Sequence, residues 1–303
     1  MRTAFIETLC ELAEQNERIW LLTGDLGFSV LERFAQRFPR RYLNMGVAEQ
    51  NMTGVAAGLA LEGKIVFTYS IANFPVMRCL EQIRNDVCYH NLNVKVVAVG
   101  GGVAYGAAGY THHAVEDLAV MRAMPNMTVI APGDPVETRL ATRAVVEWPG
   151  PCYLRLGKGG EPVVHSELPA FRMGRAIWLR EGTDTTFVST GAILAEVATA
   201  ADRLAQKGFR AGVLSMPALK PLDLEAISKL ARQAKQIITV EEHGRVGGLG
   251  EAVASVLEQL HMATPCLKRA SLSDSVSQTV GTQAYLRRAS GLDADGLVNL
   301  ALG

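Results

Sequence analysis

Glu49 stands at the mouth of a glycine- and alanine-rich helical stretch, YLNMGVAEQNMTGVAAGLAL from Tyr42 to Leu61, with almost no other charge near it. Small residues at Gly54, Ala56, Ala57, Gly58 and Ala60 leave that helix little bulk, so another surface must pack closely against it. A carboxyl group in such surroundings is poorly solvated and suited to proton transfer. A plainer role is also open to it, because a Glu at a helix N-terminus offsets the backbone dipole.

Four further places carry residue types that do chemistry. Phe74 sits at a strand-to-helix turn, followed by Arg78, Gln82 and Arg84. An aromatic there can stack on a planar heterocycle or simply fill the core. The loop GGVAYGAAGYTHH has glycines at 100–102, 106 and 109 that permit close approach to a ligand, and it carries His112 and His113, a residue type suited to proton transfer near neutral pH. Either histidine could instead cap the next helix or be solvated. Arg155 in YLRLGKG ends a strand, where its guanidinium could grip phosphate, sulfonate or carboxylate, or pair with a carboxylate between domains. Asp25 lies in Thr23-Gly24-Asp25-Leu26-Gly27, which superficially suggests a Gly-Asp-Gly metal and diphosphate motif but lacks its last glycine.

Those residues need strand ends to hold them. Apolar runs of β character at 19–25, 64–70, 94–101, 127–134 and 152–159 alternate with helical patterns around 46–62, 76–90, 115–124 and 135–147. Such alternation predicts a parallel sheet with helices on both faces and a site at the carboxyl ends of its strands. A polar, proline-bearing stretch near 160–169 reads as the exit from this unit. A second alternation follows, with strands at 185–192, 209–216, 235–243 and 265–272. The fold class is α/β, two doubly wound domains, at 1–165 and 180–303.

Composition excludes other classes. In 303 residues, 30 basic and 30 acidic side chains cancel, so nothing global suggests nucleic acid or a membrane surface, and an anionic substrate must be met by local charge. Five cysteines at wide spacing, with no CxxC or Cys/His ligand pattern, fit reduced thiols in a cytoplasm and give no metal site. The N-terminus has helical periodicity with interleaved acidic residues and reads as a structural helix, not a signal peptide. The apolar runs are too short or too broken to span a bilayer.

The string GVAEQ resembles the G-[IV]-x-E-Q string in the pyrimidine-binding domain of transketolases and 1-deoxyxylulose-5-phosphate synthases. The resemblance implies that Glu49 bonds the aminopyrimidine ring of thiamine diphosphate, that Phe74 stacks on that ring, and that Arg78 and Asp25 are cofactor contacts. GYTHH resembles the family's G-P-T-H-Q, which implies that His112 faces the sugar and is catalytic. An Arg at the strand end corresponding to Arg155 contacts the sugar phosphate in transketolases. Two positions depart from the pattern: Ile71 stands where a second aromatic is usual, and Ala108 where an acidic residue contacts substrate hydroxyls. VEEHGRVGGLGEAVASVL resembles the E-E-x-x-x-x-G-G-x-G pattern of the family's carboxy-terminal domain, and His243 is left off the catalytic set.

The resemblance covers nearly the whole chain and lacks the diphosphate-binding domain that precedes these two in a full transketolase. It therefore implies the small subunit of a split transketolase, moving a two-carbon ketol unit from an anionic ketose to an aldose. An N-terminal partner chain with the Gly-Asp-Gly motif would hold Mg²⁺ and the diphosphate, in an α2β2 heterotetramer. The other readings are a 2-oxo acid dehydrogenase β subunit, a 1-deoxyxylulose-5-phosphate synthase, or a binding module that has lost catalysis.

Overall fold

The computed structural model describes residues 1–260, 264–276 and 278–303. The first half of the chain supplies six strands: β1 (Ile19–Thr23), β2 (Tyr42–Asn44), β3 (Ile65–Ile71), β4 (Val94–Val99), β5 (Thr128–Ile130) and β6 (Cys152–Leu156). Every paired neighbour among them is parallel. Strands covered on both faces read as near-continuous apolar runs, and β4 and β6 are buried at every position, Lys95 and Arg155 included.

From β1 the chain steps outward to β2, then returns past β1 to place β3 on its other side, followed by β4, β6 and β5. The direction of winding reverses between β1 and β3. At such a reversal the following connections leave on opposite faces, and a crevice opens beyond the carboxyl ends of the two strands. The helix Glu49–Leu61 starts there.

The segment expected to be helical over 76–90 is a broken path. Phe74–Met77 and Leu80–Gln82 are short helical turns, and Ile83–Cys88 is a π-helix. Pro75 at the start of the first turn sets its entry, and Arg78 falls at the break between the two turns.

The second half supplies β7 (Ile177–Arg180), β8 (Thr185–Thr190), β9 (Ala211–Ser215), β10 (Ala218–Lys220), β11 (Gln236–Gly244) and β12 (Cys266–Leu272). Five of these form a sheet in the order β12-β11-β8-β9-β7, parallel except for β7 against β9. The sixth, β10, leaves its own half and pairs antiparallel with β5, closing one edge of the first sheet. Both sheets are dominated by parallel strands, and the chain is α/β throughout.

The connection across residues 157–176 contains no helix or strand and is tied down by Asp134. That carboxylate caps the helix Pro135–Glu147 by accepting from the Glu137 N–H at 2.8 Å. Its other oxygen accepts from the Val164 N–H at 2.9 Å and from the His165 N–H and ring Nδ1 at 3.1 Å each. Burial alone would raise the Asp134 pKa, but these donors hold it down to about 2.

Candidate active site

Glu49 is the first residue of its helix, and its carboxylate, 2% exposed, turns into the crevice between β1 and β3. Ser70 Oγ, near the end of β3, donates to Oε1 at 3.1 Å, and Arg78 Nη1 donates to Oε2 at 3.0 Å. Gly24, just past β1, forms the opposite wall, where a Cβ would come within 3.2 Å of Oε1. Ends of two strands, a helix start and the break after the Phe74–Met77 turn thus converge on one carboxylate.

Arg78 does more than neutralise Glu49. Its guanidinium carbon lies 4.2 Å from the centroid of the Phe74 ring, a cation–π arrangement that keeps the group over an aromatic face. Phe74 also meets the His112 imidazole in a T-shaped contact at 5.2 Å between centroids. Thr111 Oγ1 is 3.0 Å from His112 Nδ1, and Asn73 Nδ2 donates to the Thr111 carbonyl at 3.0 Å, tying this loop to the start of the Phe74 turn. Tyr105 stands 6.4 Å from His112, and Lys158 Nζ lies 4.8 Å from the Tyr105 ring centroid. Glu49, Arg78, Phe74, His112, Tyr105 and Lys158 therefore form a continuous row of neighbours, running from a buried carboxylate to an exposed cation.

Asp25 follows Gly24 on an exposed turn with φ 55°, bonded to Asn44, whose Nδ2 donates to Oδ1 at 2.9 Å. This places it beside the crevice, on the β1 side. His113, unlike its neighbour, is buried, with Nε2 3.4 Å from the Gly106 carbonyl.

Arg155 requires a correction. It is 4% exposed and engaged on several sides: Nε and Nη2 grip Asp117 at 2.8 and 3.1 Å, and Nη2 also donates to the Ala114 and Glu242 carbonyls at 2.7 and 3.0 Å. Tyr153 adds its hydroxyl to the same carboxylate. Burial disfavours the cation, yet Asp117 beside it holds the Arg155 pKa above its ordinary value. This guanidinium fastens the two halves of the chain together, and its fork is spent on Asp117 instead of a substrate anion. The exposed cation at the same strand end is Lys158, three residues on. The strand-end position singles out Lys158 as well as Arg155, and burial alone tells them apart.

The second half contributes buried charge to this junction. Glu241 accepts from the Leu249 and Gly250 N–H groups at the start of the helix Leu249–Gln259, at 2.7 and 2.8 Å. His243 accepts from the Ala119 N–H at Nε2, 3.3 Å, and its Nδ1 lies 2.8 Å from the Gly244 carbonyl, a pattern met by a neutral ring protonated on Nδ1. It is fully buried between the two halves.

Comparison with known proteins gives the family. The family description "Transketolase, pyrimidine binding domain" fits residues 1–161, and "Transketolase, C-terminal domain" fits residues 174–297. The chain belongs to the transketolase family. It is 43% identical over 260 residues to one of the subunits of an apulose-4-phosphate transketolase from Phocaeicola vulgatus, covering 85% of this chain and 83% of that one. It is 38% identical over 302 residues to a 6-deoxy-6-sulfo-D-fructose transketolase subunit, SqwH, of a Clostridium species, covering 99% and 93%. A solved structure described as "Split gene transketolase, inactive beta4 tetramer" superposes with a TM-score of 0.89 at 40% identity, over 99% of this chain and 96% of the other.

Proposed function

We propose that this chain is the C-terminal subunit of a split, thiamine-diphosphate-dependent transketolase, moving a two-carbon ketol unit from an anionic ketose to an aldose. The observation that carries the reading is the Arg78 guanidinium, which is flat, bears N–H groups, stacks on Phe74 and donates to Glu49. An aminopyrimidine that shares a proton at its ring nitrogen is likewise flat, offers an N–H to a carboxylate and stacks on an aromatic face. Glu49 and Phe74 therefore fit the cofactor, and Arg78, whose side chain is 48% exposed, has solvent to move into.

When bound, thiamine diphosphate supplies the carbon nucleophile that attacks the ketose carbonyl. Glu49 Oε2, once released by Arg78, would hydrogen-bond the ring nitrogen of the cofactor's aminopyrimidine and share a proton with it, while Ser70 keeps the carboxylate oriented through Oε1. Phe74 gives the flat wall against which the ring lies. Arg78 and Asp25 are assigned to the cofactor's flank. His112, half-buried against Phe74, orients substrate hydroxyls and relays their protons. Lys158 takes the role expected of Arg155 and meets the anionic end of the sugar.

The partner would bring the Gly-Asp-Gly motif, Mg²⁺ and the diphosphate contacts, completing an α2β2 assembly in the cytoplasm. Support for a docked partner comes from the helix that Glu49 begins. A Cβ added at Gly54 or Gly58 would meet nothing within 4 Å, and Val47 and Phe28 are 75% and 73% exposed. Interior helix glycines cost about 1 kcal/mol each relative to Ala, a cost that close approach of another backbone offsets.

The test is two-carbon transfer from ketose phosphates and sulfonated ketoses, with thiamine diphosphate and Mg²⁺, with and without the partner chain. Activity in the mixture alone, abolished by Glu49→Gln, supports the reading. Activity of this chain by itself, or none from any ketose with the partner present, sinks it.

A further inference from the structure

The loop bearing Tyr105 and His112 leaves β4 and is cinched at its base. Gly102 and Ala114 exchange N–H···O=C bonds at 2.9 Å in both directions. Arg155 holds one side of this knot through the Ala114 carbonyl. The other side is held by a residue of the second domain, Glu242 on β11.

Glu242 is 4% exposed, and its Oε1 accepts from the Val103 N–H at 2.8 Å. The same carboxylate accepts from Gln283 Nε2 at 2.9 and 3.1 Å and from Arg287 Nε at 2.6 Å. The approach is close enough to dictate sequence: Gly102 has φ +69°, and a Cβ there would come within 2.6 Å of Glu242 Cγ. Beyond Val103 the loop is tied at Gly106, to Gly281 and His113, and by Asn73 to Thr111. A buried carboxylate saturated by donors is rigid, and rigidity at the base of a short loop fixes what its tip presents.

We propose that Glu242 is a positioning residue for the transfer reaction: from the second domain it sets the base of the His112 loop and thereby the placement of the imidazole against Phe74. This rests on the reading of His112 as substrate-facing, and it gives the second domain a part in catalysis beyond assembly.

Two readouts on the full chain separate the clamp from the reaction. In the chain alone, Glu242→Ala is expected to speed amide hydrogen exchange at residues 103–112 by about tenfold or more, while β1 and β3 amides hold their rates. With the partner, the same variant should lower kcat/KM about tenfold at a cofactor Kd within about twofold of wild type. Glu242→Gln keeps a carbonyl acceptor for the Val103 N–H and should restore most of both. Val240→Ala, a cavity two residues away on the same strand, lowers Tm without loosening the loop and controls for general destabilisation. The proposal is overturned by unchanged loop exchange in Glu242→Ala. It is equally overturned by kcat/KM and cofactor binding falling together, or by Val240→Ala reproducing the effect. Inactivity of the wild-type mixture would defeat the transketolase reading, and hydrogen exchange would still decide the clamp.

Discussion

The Arg78 guanidinium donates to the buried Glu49 carboxylate at 3.0 Å while lying 4.2 Å from the centre of the Phe74 ring. One flexible side chain thus covers both surfaces proposed above for the cofactor ring, and on that reading ring binding is an exchange of partners.

Because the exchange depends on the aromatic face, Phe74→Ala should weaken thiamine diphosphate binding to the assembled enzyme by about tenfold, the scale of one aromatic contact plus its buried area. Glu49→Gln should leave binding within a few fold and cut kcat by about 10² or more, since it removes the carboxyl group that exchanges a proton with the ring nitrogen and keeps the shape. Calorimetric titration beside steady-state kinetics separates the two, and equal losses in Kd and kcat for both variants would refute this division of roles.

Arg155 and Lys158 should part company. Arg155→Ala leaves Asp117 buried without its partner and is expected to cost about 3–5 kcal/mol of stability in denaturant unfolding. Lys158→Ala should leave stability within about 0.5 kcal/mol and raise KM for an anionic ketose about tenfold, with little change for an uncharged one. A raised KM from Arg155→Ala at unchanged stability would return the anchor to Arg155.

Acid should undo the Asp134 tie in a defined window. Its folded pKa, about 2, lies below the ordinary carboxylate value, so its stabilisation is complete above about pH 4 and is lost as pH falls toward 2. Asp134→Asn should therefore cost about 1–2 kcal/mol at pH 7, and most of that cost should be gone once pH has fallen to about 2. Urea unfolding across this range reads it directly, and a penalty independent of pH would contradict the assignment.

Gly58 offers a two-way test of the exposed helix face. Gly58→Ala should stabilise the isolated chain by up to about 1 kcal/mol, because the added methyl meets nothing. Gly58→Leu should fold equally well yet fail to assemble with the partner, seen as a smaller mass in light scattering. Normal assembly of Gly58→Leu would move the interface elsewhere.

What can be read from the sequence follows the physics of each element. The long parallel strands announce themselves as apolar runs, and Glu49, Phe74 and His112 come together because the reversal between β1 and β3 brings three separate segments to one crevice. β2 and β10 are three residues long, too short to show any period, and β10 draws its partner from the other half of the chain. The burial of Arg155 is not legible because β6 is covered on both faces, so alternation along it says nothing about which side chain reaches solvent. Nor does the sequence reveal Glu242 as a loop clamp, since its partner Val103 lies 139 positions away.

The pairing of β10 with β5 has a bearing on how such a chain can be cut or recombined. A break placed between the two sheets would strand β10 on the wrong product and leave the β5 edge bare, an invitation to aggregation. The two halves are therefore expected to stay soluble when kept on one chain, and a cut that spares the protein belongs outside them.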